Sequence, residues 1–127
     1  MSEELYPTAS SVSGKKAEGI QYLIEAQKGP EEHIKNLTPL LLKLATENNE
    51  ETFSLLYARN LALEGKLDES VEVLEKIHSD GTNNLQWVTQ ILNEIIQRNR
   101  NHAGANRLLA RIYLDSGQIS SALDTVV

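Results

Sequence analysis

Cysteine is absent from this 127-residue chain. That excludes disulfides, thiolate metal sites and cysteine nucleophiles. Aromatic residues are scarce, with one Trp, one Phe and four Tyr, so Leu, Ile, Val and Ala must carry the core, which suits helix packing. No apolar run approaches the ~20 residues of a membrane span. The opening stretch Met1-Ser2-Glu3-Glu4-Leu5-Tyr6-Pro7 is acidic and has no apolar segment of the kind a secretory signal carries. The expectation is a soluble protein of the cytoplasm. At this length the chain supports one modest domain, not two with separate large cores.

Positive charge is in short supply, and what there is lies unevenly. Lys and Arg number 12 against 18 Asp and Glu, for a net charge of -6. Residues 98–127 reverse the balance: Arg98, Arg100, Arg107 and Arg111 stand there against Asp115 and Asp124. The acidic bulk argues against nucleic acid, which requires a positive field. The basic C-terminal segment is the one place that favours an anionic partner.

Chemical motifs are missing too. There is no Gly-rich phosphate loop and no nucleophile elbow. His33, His78 and His102 are isolated, without metal-ligand spacing. Glu69, Glu72 and Glu75 read as a solvated helix face. No catalytic residue, cofactor or metal is expected, and the chain is read as non-enzymatic.

What is present is helical periodicity. Residues 1–13 are Ser-rich and aperiodic and are expected to form a flexible tail. Ile20, Leu23, Ile24 and Gln27 have helical spacing over 14–28. Gly29-Pro30 separates that helix from a second with Ile34, Leu37, Leu40, Leu41 and Leu44, which Pro39 kinks or restarts. Phe53, Leu56, Tyr57, Asn60 and Leu61 mark a third, closed by Gly65. Leu67, Ser70, Val71, Leu74 and Ile77 mark a fourth, over 67–79. A fifth spans 85–98, with Leu85, Val88, Ile91, Leu92, Ile95 and Ile96 and with Trp87 beside the stripe. A sixth spans 103–116, with Leu108, Leu109, Ile112 and Tyr113, and a seventh starts at Gln118. No β pattern competes. The short turns predict that consecutive helices pack as antiparallel neighbours.

The chain also resembles itself. With Gly65 set against Gly117, Ala58 falls on Ala110, Leu61 on Tyr113, Leu67 on Ile119, Ser70 on Ala122 and Leu74 on Val126. Small residues recur where helix backbones cross closely, and larger ones fill between them.

This small–large pattern resembles the tetratricopeptide repeat, a 34-residue helix–turn–helix unit. Tyr57-Ala58, Leu61, Gly65, Ser70 and Leu74 stand at signature positions of a unit over 51–84. Leu109-Ala110, Tyr113, Gly117 and Ala122 stand at those of a truncated unit over 103–127, and 17–50 is a degenerate unit. The family's Trp site holds Ser54 and Asn106, and Thr82 replaces its terminal Pro. The two good units start 52 residues apart, so 85–98, with the linker to 102, reads as an extra helical element between repeats. The resemblance implies an all-α fold: antiparallel helix pairs forming a right-handed α-solenoid of about seven helices in one domain over 14–127. The chain ends within the apolar run at Val126-Val127, so it is expected to be a piece of a longer repeat protein, or to have that face covered by another chain.

The resemblance further implies a non-catalytic scaffold that holds a partner's peptide or helix on a concave face lined by the first helix of each repeat. Carried over by position, Leu55 and Arg59 line that groove in one unit, and Arg107, Leu108 and Arg111 in the other. Three guanidiniums would then face an acidic side chain or a C-terminal carboxylate, for which Arg is suited. The alternative is that they are solvated surface arginines. The clamp that some members use for chaperone tails is not supported, because Leu55 and Arg59 occupy its Lys and Asn positions. Trp87 is either an interhelix packing residue or an exposed anchor. The second function is a self-assembly domain, a homodimer through 85–98 or the apolar C-terminal end.

Overall fold

The computed structural model describes residues 14–115 and 117. Among these the chain forms six helices: α1 (Gly14–Ala26), α2 (Glu31–Glu47), α3 (Glu51–Leu63), α4 (Leu67–Ser79), α5 (Leu85–Arg98) and α6 (Ala103–Asp115). The fold is all-α. The expected tail over 1–13 and the expected seventh helix lie outside the described residues.

Local chemistry accounts for the helix limits. Pro30 sits just before α2 with φ -64°, and Glu31 and Glu32 follow in the first turn, where the helix dipole favours negative charge. α2 runs through Pro39 unbroken, so Pro39 does not restart a helix. It removes one amide donor, but Leu41 on one side and Leu37 on the other pack into the core and hold both halves in line. Gly65, Gly81 and Gly117, which follow α3, α4 and α6, have φ of 87°, 83° and 81°, a left-handed conformation that closes helices and penalises a Cβ.

α3 lies at the centre. Its residues Phe53, Leu55, Leu56, Ala58, Leu61 and Ala62 are buried, and no residue along it is exposed. It packs most closely against α2 and α4, and also touches α1 and α5. The remaining contacts join α4 to α5, α5 to α6 and α4 to α6. Every close contact therefore links helices one or two apart in the chain. The molecule reads as two rows, with α1, α3 and α5 in one and α4 stacked on α6 in the other. Consecutive helices are not always the tightest pairs: α1 packs on α3, and α1 with α2 is not among the close pairs.

α5 holds a regular place in this stack. It begins at Leu85, 34 positions after α3 begins at Glu51, and lies beside α3. The 52-residue offset describes a likeness in side chains between α3 and α6, whereas in space α3 lies beside α5, which starts 34 positions later, and α4 beside α6, which starts 36 positions later. The turn before α5 fixes the placement. Glu51, in the first turn of α3, accepts hydrogen bonds from the Thr82 hydroxyl and, at 2.8 Å, from Asn84 Nδ2. The Asn84 amide donates to Thr82 Oγ1 at 2.9 Å. This clip ties the entry of α5 to the start of α3.

α4 and α6 run parallel, because contacts join their starts and join their ends. His102 Nε2 lies 2.7 Å from Asp68 Oδ1 at the starts, and His78 Nε2 lies 3.4 Å from Asp115 Oδ2 at the ends. Gly104 permits the close approach, since a Cβ there would stand 3.4 Å from Val71 Cγ1 and 3.3 Å from His102 Cε1.

Leu74, fully buried in α4, should be costly to truncate. Leu74→Ala is expected to lower the unfolding free energy by about 2–5 kcal/mol, through lost burial and a residual cavity. Gly65→Ala, which keeps the core intact, is expected to lose about 1–2 kcal/mol through left-handed strain. Urea titration followed by circular dichroism measures both.

Candidate interaction surface

The three arginines expected in one groove do not meet. Arg59 belongs to α3 in the first row, whereas Arg107 and Arg111 belong to α6 in the second. The Arg59 side chain is 16% exposed. Its Nε stands 3.4 Å from Glu94 Oε1 on α5, and its Nη1 donates to Gln27 Oε1 at 3.3 Å. It therefore bridges helices instead of facing solvent. Leu55 is fully buried, and Leu108 is buried as well. Trp87 is 1% exposed and belongs to the core, so it is a packing residue and presents no surface to a partner. The physical reason is shared: α3 and α5 are covered on the sides where an open groove would require exposure.

Arg59 instead begins a chain of polar contacts through the interior. Gln27, at the end of α1, donates through Nε2 to the Leu56 carbonyl at 2.9 Å and to Asn60 Oδ1 at 3.2 Å. Asn60 donates through Nδ2 to the Ile34 carbonyl at 2.9 Å and to Thr38 Oγ1 at 2.8 Å. Thr38 in turn donates to Glu64 Oε1 at 2.6 Å. Donors point one way throughout, from a guanidinium at one end to a carboxylate at the other. Gln27 and Asn60 are buried, and buried amides are tolerated only when their hydrogen bonds are made. The sequence carries a faint signal of this: both sit on otherwise apolar helical stripes.

The exposed positions lie on the other row. Arg107, Arg111 and Leu114 are exposed on α6, and Leu114 is 55% exposed. Their spacing puts them on one helical face. Arg107 and Arg111 form no ion pair among the described residues. Asp68, Glu69, Glu72 and Glu75 are exposed on the neighbouring α4. The outer surface of the α4–α6 pair is thus acidic along one helix and basic along the next.

No family model, no curated protein and no solved structure matches the chain.

His78 and His102 serve the scaffold. His102 Nδ1 accepts the Ala105 amide at 3.1 Å and so caps α6. That leaves Nε2 as the protonated nitrogen, which donates to Asp68. No cluster of three or more His, Cys, Asp or Glu among the described residues is placed to hold a metal ion. No helix among them is long and apolar enough to cross a membrane. A shallow cleft at the α3–α4 turn is lined by Gly65, Lys66, Leu67, Asp68 and Glu69. All five belong to one turn of chain, so it brings together no groups from separate elements.

The interior polar chain and the outer arginines should respond differently to truncation. Asn60→Ala deprives the Ile34 carbonyl and Thr38 of their donor and is expected to cost about 1–3 kcal/mol of stability. Arg107→Ala is expected to stay within about 0.5 kcal/mol of the parent. Chemical denaturation of the two variants side by side measures the contrast.

Proposed function

We propose that this chain is a non-catalytic protein–protein interaction module of the tetratricopeptide kind, stacked as a right-handed α-solenoid. The observation that carries this reading is the offset of 34 positions between α3 and α5, the length of one such repeat. It is supported by the parallel stacking of α4 on α6, since each unit of a solenoid contacts mainly its neighbours. The signature residues Ala58, Leu61, Gly65 and Ser70 fit that reading. Ala58 is fully buried, and the Ser70 hydroxyl donates to the Ala58 carbonyl at 2.7 Å across the α3–α4 crossing.

Binding is assigned to the outer face of α6 in place of the groove. Arg107 and Arg111 supply guanidiniums for carboxylates, and Leu114 adds apolar contact beside them. An acidic segment of a partner protein is the natural ligand of such a face in an otherwise acidic molecule, because a like-charged surface elsewhere discourages other docking modes. The setting is the cytoplasm.

The test is affinity capture from the cells that make the protein, with the parent chain and R107E/R111E compared by quantitative mass spectrometry. The reversed charges are expected to reduce recovery of specific partners by about tenfold, with helical content unchanged. Equal recovery overturns the assignment of the surface.

A further inference from the structure

Exposed Asp68, Glu72 and Glu75 on α4 follow the spacing i, i+4, i+7, and exposed Arg107, Arg111 and Leu114 on α6 follow the same spacing. Each set therefore forms one stripe along its helix. The two helices are parallel neighbours, pinned at both ends by Asp68 with His102 and by His78 with Asp115. Glu69, Glu72, Glu75, Arg107 and Arg111 nevertheless form no ion pairs among the described residues. On α4 the exposed Lys76 is already engaged by Asp80 at 3.3 Å, so it does not neutralise the acidic stripe. One face thus carries two stripes of opposite sign, side by side, in which Glu72, Glu75, Arg107 and Arg111 are exposed and form no ion pair among the described residues.

Such a face is complementary to itself. A two-fold axis lying in the plane of the face, parallel to the helices and between α4 and α6, lays the α4 of one copy over the α6 of the other with the same direction. The acidic stripe of each copy then meets the basic stripe of its partner twice over, as an isologous interface requires. In this parallel register Glu72 lies over Arg107, Glu75 over Arg111 and Leu114 over the α4 end. We propose that a second copy of this chain docks here, through the paired α4–α6 faces.

Size and chemistry set the strength. Two helices of 13 residues present a footprint of roughly 400 Å² per copy at ordinary helix length and spacing. A stable complex buries about 800 Å² per partner. The dimer is therefore weak and strongly salt-dependent, since its contacts are mainly between exposed charges. The inference rests on reading the chain as an interaction module and names the second copy as a partner of the α6 face.

Sedimentation velocity over a concentration series, at about 20 mM and about 500 mM salt, tests it. The parent chain is expected to move towards dimer with concentration at low salt and to revert at high salt. E72R/E75R and R107E/R111E are each expected to weaken self-association by about tenfold. An equimolar mixture of the two variants is expected to recover it, because one chain then carries two basic stripes and the other two acidic ones. All four positions are exposed, so folding is expected to persist, and circular dichroism checks that it does. A parent chain that stays monomeric at low salt, a dimer indifferent to both reversals, or a mixture that fails to associate overturns the proposal. E72R/E75R leaves the α6 face intact, so its effect on self-association is separable from the loss of other partners in R107E/R111E.

Discussion

The burial of α3 on all sides is the constraint on which the rest depends. A helix covered all round must bring any polar group it carries to a partner, because an unmade hydrogen bond in the interior costs more than a made one contributes. Asn60 meets that demand with both amide atoms. It receives a hydrogen bond from Gln27 and gives two, to the Ile34 carbonyl and to Thr38. These contacts fix α1 and α2 relative to α3 in one register, which purely apolar packing would specify less sharply.

The same helix sets the second half of the molecule. Glu51 at its start holds Thr82 and Asn84, and Arg59 near its end reaches Glu94 on α5. Two polar attachments along α3 thus place α5 beside it. α6 follows onto α4, where a Cβ on Gly104 would stand 3.4 Å from Val71 Cγ1. With the first row occupied by packing, Glu72, Glu75, Arg107 and Arg111 remain exposed on the outside of α4 and α6.

Helix limits were legible because they depend on neighbours in sequence. Apolar spacing, Pro30, the Glu pairs and the glycines after α3, α4 and α6 act within a turn or two of chain. The likeness between the segments ending at Gly65 and Gly117 was legible too, but it did not reveal which helices stack. Similar side chains at a helix end report a shared need for a left-handed cap, and α4 with Gly81 meets that need as well as α3 does. The placement of Leu55 and Arg59 in an open groove followed from family position and not from any local property. A residue on the flank of one helix is open or buried according to which other helix arrives there.

The sequence by itself determined an all-helical chain, the approximate ends of the described helices, an apolar core of Leu and Ile, and a basic segment after residue 98 in an acidic molecule. These depend on propensity, periodicity and composition, all of which are local or additive. Only the tertiary structure decided that α5 lies beside α3, that Trp87 and Leu55 are interior, that Arg59 is spent on Gln27 and Glu94, and that Arg107 and Arg111 stand in the open beside an acidic stripe. Each of those is settled by contacts between residues tens of positions apart, which no window along the chain contains.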